Sequence, residues 1–131
     1  MGISVQTISS TQLDVGSEYD VIGGFSDYFE AIALLKVKQP AIILVEYDNS
    51  NDNFEQYLKN IQSLSSGSKI ILLGEKLSDE IILNCMLCGI FGYLQLSSAH
   101  KFLNKSINAV HHGEAWFSRK LVSTLIESMR G

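Results

Sequence analysis

Apolar positions along this chain alternate between unbroken runs and helical spacing. Residues 40–48 read Pro40-Ala41-Ile42-Ile43-Leu44-Val45-Glu46-Tyr47-Asp48. A continuous, largely β-branched run, entered from a proline and left through two carboxylates, predicts a strand over 41–46 buried on both faces. That is the pattern of an interior parallel strand. Lys69 to Gly74 (KIILLG) repeats it. Ile3 to Ser10 alternates more weakly and predicts a first strand ending at Ser9-Ser10, and shorter strands are predicted over 19–25 and 91–95.

Helical spacing fills the intervals. Phe29, Ile32, Ala33 and Leu35 follow a Ser26 or Asp27 cap, and Phe54, Tyr57, Leu58, Ile61 and Leu64 follow the polar turn at 49–53. Ser78 starts a helix whose inner face is Ile81, Ile82, Cys85 and Met86, and Gly89 ends it. Ser97 or Ser98 opens another, with Phe102, Leu103, Ile107 and Val110 inward, stopped at Gly113. Ser118 caps a final helix carrying Leu121, Val122, Leu125, Ile126 and Met129. Thr11 to Glu18 has no helical stripe and reads as a loop. Strands alternating with helices define an α/β fold, a doubly wound five-stranded parallel sheet of flavodoxin-like order. The whole of 1–131 reads as one domain, extended by a last helix at about 118–130.

Composition narrows the function classes. Hydrophobic residues make up 46% and charged ones 18%, and the net charge of −4 argues against a surface built for nucleic acid. No apolar run has the length of a membrane span. Met1-Gly2-Ile3-Ser4 lacks the basic and apolar regions of a secretory signal. Two cysteines are too few for a disulfide scaffold, so the cytoplasm is the expected compartment.

Sites in open parallel sheets form at the carboxyl ends of the strands, which puts Glu46, with Asp48 beside it, where chemistry would occur. A fixed negative charge is the favoured role for Glu46, with weak cation binding the alternative. Cys85-Met86-Leu87-Cys88 lies within a helix, away from any feature that lowers a thiol pKa, so both cysteines read as small core residues. His111 and His112 end a helix, where an imidazolium suits the dipole. The chain has no nucleophile–base set, P-loop or metal-ligand spacing, so neither enzyme, metal nor cofactor is expected.

PAIILVEYD, KIILLGE, CGIFGYLQL and AVHHGEAWFSRKL together resemble the receiver domain of LuxR/NarL-type response regulators over roughly residues 19 to 130. The blocks Gly89-Ile90-Phe91-Gly92-Tyr93-Leu94 and Gly113 to Leu121 carry most of the likeness. The resemblance implies a bacterial regulatory domain whose DNA-binding helix-turn-helix domain is not present in this chain. It also implies a phosphoacceptor site, and this sequence departs from that site throughout. Glu46 stands where an aspartate receives phosphate, and Ser9 and Ser10 where two acids hold Mg²⁺. Gly74 replaces a hydroxyl residue, and Leu96 replaces a lysine. Phosphoryl transfer needs a cation held by hard oxygen ligands, so these changes imply a receiver not switched by phosphorylation. The family also carries a helix between its first two strands, for which residues 11–18 are too short. Either apolar sheet surface is left for a partner subunit to cover, or the alignment of the first strand is wrong.

Trp116-Phe117-Ser118-Arg119 resembles the cyclic di-GMP motif of the VpsT-like biofilm-regulator branch of that family. The likeness implies a nucleotide second messenger bound at a homodimer interface built by the last helix. Residue chemistry agrees: a guanidinium forks onto guanine or phosphate oxygens, an indole offers a stacking face, and a helix N-terminus favours an anion. The alternative leaves Ser118 as a plain N-cap, Trp116 and Phe117 as packing residues and Arg119 as a solvated charge. The domain would then be a ligand-free pseudo-receiver acting only through dimerisation or protein contacts.

Overall fold

The computed structural model of the chain describes residues 3–9, 13, 15, 19–24 and 28–130. In chain order the elements are β1 (Ile3–Ile8), β2 (Tyr19–Gly24), α1 (Tyr28–Lys38), β3 (Ile42–Glu46), α2 (Phe54–Leu64), β4 (Lys69–Gly74), α3 (Asp79–Leu87), β5 (Gly92–Gln95), α4 (Ala99–His111) and α5 (Arg119–Arg130). A short 3-10 turn, Leu96–Ser98, joins β5 to α4.

β3 lies at the centre of a five-stranded sheet of order β2-β1-β3-β4-β5, all parallel. Both of its faces are covered. Ile43 and Val45 join a cluster with Ala31 and Leu35 of α1, Leu58 and Ile61 of α2 and Cys85 of α3. Ile42 and Leu44 join a second cluster with Leu103, Ile107 and Val110 of α4. All four β3 residues are fully buried, each worth roughly 1.5–3 kcal/mol of apolar transfer.

Both predicted glycine stops are seen. At the end of α3, Gly89 N donates to the Met86 carbonyl (3.0 Å) and Ile90 N to that of Cys85 (3.4 Å). After α4, Gly113 N bonds Val110 O (3.0 Å) and Glu114 N bonds Ala109 O (2.9 Å). Both closures are Schellman motifs, and they require the left-handed backbone that Gly89 (φ 100°) and Gly113 (φ 91°) adopt.

Two sequence expectations need correction. Ala33 is exposed, and the inner face of α1 is carried by Ala31 and Leu35 with Ile32 partly buried. Ser98 stands at the N-cap position of α4, as the sequence indicates, reached through a 3-10 turn and without a side-chain cap bond. The sheet face beside α4 is not left bare. Leu13 and Val15, in non-helical backbone, pack on it together with Tyr19, whose hydroxyl donates to the Asn104 carbonyl at 3.1 Å. Val5, Ile42, Leu44, Ile71 and Leu73 on this face are all fully buried within the chain. Leu13 and Val15 thus cover this part of the sheet from within the chain. Among the described residues, no helix is long and apolar enough to cross a membrane.

Candidate functional site

The carboxyl ends of β1, β3, β4 and β5 share one sheet edge, and the residues there are engaged with one another. Ser9 Oγ donates to Glu46 Oε1 at 2.6 Å, which joins the ends of β1 and β3. Ser10 lies outside the described residues. Asp48 faces its own loop, accepting from Ser50 N (3.0 Å) and Ser50 Oγ (2.6 Å), and these bonds hold its carboxyl below the usual range. Glu46 and Asp48 therefore bind different partners.

Gly74 ends β4 beneath Leu77. A Cβ added at Gly74 would lie 2.6 Å from Leu77 Cδ1 and 2.7 Å from Leu77 Cγ, so Leu77 occupies the space a hydroxyl residue would need. Tyr93 Oη donates to the Gly74 carbonyl at 3.1 Å. Burial pushes the Tyr93 phenol up; the Leu77 backbone N–H opposes this, and Glu75 adds to it. Glu75 Oε2 accepts from Ser97 N at 3.0 Å, tying the β4 end to the turn after β5. Leu96, in that turn, is half-buried against the α4 cluster. Leucine has no charge to offer the edge, and packing is its visible role. Among the described residues, no group of three or more His, Cys, Asp or Glu side chains could hold a metal ion.

The second candidate site begins with backbone pairing. Trp116 N donates to Phe91 O and Tyr93 N to Trp116 O, both at 2.9 Å, which lays the segment before α5 beside β5. Gly92 permits this approach: a Cβ there would be 3.1 Å from Trp116 Cβ and 3.4 Å from Trp116 O. The two sequence blocks that carried the family likeness are thus direct neighbours. Trp116 is half-buried, its ring 6.4 Å from that of Phe102. Ser118 Oγ accepts from Leu121 N at 3.1 Å and caps α5 as predicted.

Trp116, Phe117 and Ser118 line a groove of about 490 Å³ between α3, β5, α4 and the start of α5. Leu77, Tyr93 and Phe102 complete its walls, and Asp79 and Gln95 bring polar groups to it. Arg119 does not line the groove; it is exposed at the first position of α5, followed by exposed Lys120. The first turn of α5 contains no acid, so two cations stand at the positive end of the helix dipole. Sequence reasoning missed Leu77, Tyr93, Asp79 and Gln95 as neighbours of the tetrad. They come from other elements, and no local periodicity links them to residue 116.

The cysteines lie in the core as expected. Burial, with smaller contributions from Cys88 and Glu55, pushes the Cys85 thiol up to about 12, and burial raises Cys88 as well. His112 Nδ1 hydrogen bonds the Asn108 carbonyl at 2.7 Å, satisfying the end of α4.

A parallel sheet of this strand order, with a carboxylate at the end of its central strand, defines a doubly wound architecture of the flavodoxin type. More narrowly, it is the receiver fold of response regulators. The isolated receiver domain of RcsB from Salmonella enterica serovar Typhimurium superposes with a TM-score of 0.81 at 18% identity, covering 96% of this chain and 99% of that one. A LuxR-family two-component response regulator from an Aurantimonas species gives 0.79 at 16% identity, with 100% of both chains covered. The signal receiver domain of the response regulator NarL from Mycobacterium tuberculosis gives 0.70 at 16% identity, covering 86% of this chain and 98% of that one. No protein-family model matches the chain, and no curated protein does.

Proposed function

We propose that this chain is the regulatory and dimerisation domain of a LuxR-family transcriptional regulator of the VpsT-like branch. In this reading it works in the cytoplasm without phosphorylation and senses cyclic di-GMP through Trp116, Phe117, Ser118 and Arg119. It is a binding domain rather than an enzyme, and DNA is reached through a domain outside this chain. One observation carries the reading: an aromatic groove opens beside a helix N-terminus that bears two cations and no acid. Cations at that end cost the isolated helix a few tenths of a kcal/mol each, up to about 1. An anion bound there reverses the sign, because dipole, guanidinium and ammonium then all attract it. The groove supplies flat apolar surface for a base, and the helix start supplies charge for a phosphate.

Loss of the phosphoryl switch is supported by the occupied sheet edge. Glu46 is bonded to Ser9, Leu77 fills the space above Gly74, and Leu96 brings no cation. The ligand-free pseudo-receiver remains the second reading. It is favoured by Ser118 already serving as a cap, and by the exposed apolar residues Val122, Ile126 and Met129 on α5, which suit association without ligand.

Calorimetric titration of cyclic di-GMP into the domain separates the two, with Arg119→Ala alongside. Micromolar binding that weakens at least tenfold in the variant is the expected result. No heat at tens of micromolar ligand would leave the pseudo-receiver.

A further inference from the structure

We infer that the groove beside Trp116 is a guanine pocket in which Asp79 reads the Watson–Crick edge of the base; this rests on the nucleotide reading above and deepens it. A volume of about 490 Å³ is in the range of small-molecule sites and can hold a purine. The walls offer rings for a flat base: Trp116, Phe102, Phe117 and Tyr93 all line the groove. What distinguishes one base from another is the polar edge.

Tyr93 cannot donate there, because its hydroxyl proton is given to the Gly74 carbonyl. Gln95 directs its amide nitrogen to Ser97 Oγ at 3.0 Å. Asp79 is the one acidic side chain among the lining residues, and its carboxylate only accepts hydrogen bonds. Nor is it needed to cap α3, since Ser78 Oγ accepts from Ile81 N at 3.2 Å and Glu80 also supplies an acid to that first turn.

A flat ligand facing an acceptor-only group must present donors. Guanine presents two in parallel, N1–H and the N2 amine, which match the two oxygens of a carboxylate. Adenine presents its N1 lone pair beside the N6 amine, which sets one acceptor against another. Uracil and thymine present a single N–H between two carbonyls. Charge complementarity therefore selects guanine, with the attached phosphate reaching the start of α5, where Arg119 and Lys120 stand.

Trp116 is the only tryptophan in the chain, so its emission reports occupancy of the groove. The test titrates cyclic di-GMP, cyclic di-AMP and cyclic di-IMP into the whole chain and into Asp79→Asn, recording tryptophan emission and heat together. The expected result is a change in Trp116 emission with cyclic di-GMP. Binding should be roughly tenfold or more weaker for cyclic di-IMP, which lacks the N2 amine, and for cyclic di-GMP on Asp79→Asn. The variant should also lose its preference over cyclic di-AMP, while its circular dichroism stays that of the parent. Heat without a change in emission, or a variant that binds and discriminates like the parent, overturns the guanine pocket and leaves the Arg119 reading standing. No heat with any of the three dinucleotides on the parent chain overturns both.

Discussion

Trp116 exchanges backbone hydrogen bonds at 2.9 Å with Phe91 and Tyr93, the two neighbours of Gly92, leaving 3.1 Å between a Cβ added at Gly92 and Trp116 Cβ. Because Trp116 is held through both its N–H and its carbonyl, it resists the shift of a few tenths of an ångström that a methyl group requires. Gly92→Ala should therefore destabilise the fold by about 1–3 kcal/mol, seen as a lower urea midpoint, with a shift in Trp116 emission already in the native state. Gly74 is a similar case, with Leu77 as the obstructing side chain. In the sequence, Gly74 reads only as a departure from a pattern and Gly92 only as part of a matching block, neither with a structural reason attached. Glycine carries no hydrophobic signal, and what needs its missing side chain lies in another segment, 24 residues away in the case of Trp116. The core role of Cys85 was legible from its helix-interior position, whereas Cys88 proves to be the C-cap of α3, where burial raises its thiol and Lys59 opposes the rise.

Helix ends were more legible than helix faces. Ser78 and Ser118 were readable as caps and act as caps, since a hydroxyl accepts from a backbone N–H three residues on, within one local turn. Ser118→Ala should cost about 1 kcal/mol and should loosen α5 ahead of the rest of the domain, measurable as faster amide exchange at Leu121 and Val122 with α2 unchanged. Faces were harder. Leu121, Val122, Leu125, Ile126 and Met129 form one apolar set in sequence, yet only Leu121 is buried, while Ile126 is 46% and Met129 76% exposed. Periodicity identifies an amphipathic helix but not how much of its stripe the same chain covers. α5 packs mainly against α3, so the remainder of the stripe stays open to solvent.

Across the whole molecule, the parallel sheet brings the ends of β1, β3, β4 and β5 to one edge, and that edge is closed by its own side chains. Acetyl phosphate with Mg²⁺ should leave the chain unmodified by intact mass and should not alter its thermal midpoint, because Glu46 is engaged by Ser9 and Leu77 fills the space above Gly74. A phosphorylated species at Glu46 would contradict this. The alternation of strands and helices, the buried centre at 41–46 and the glycine stops were determined by sequence alone. Backbone hydrogen bonding and the two hydrophobic periods act over a few residues and leave their mark in order. Tertiary structure alone decided that Leu13 and Val15 cover the sheet beside α4, that Leu77 fills the space above Gly74, and that Asp79, Phe102 and Trp116 share a groove. Each of these depends on contacts between segments distant in the chain. Only the folded topology brings such segments together, so no local pattern records them.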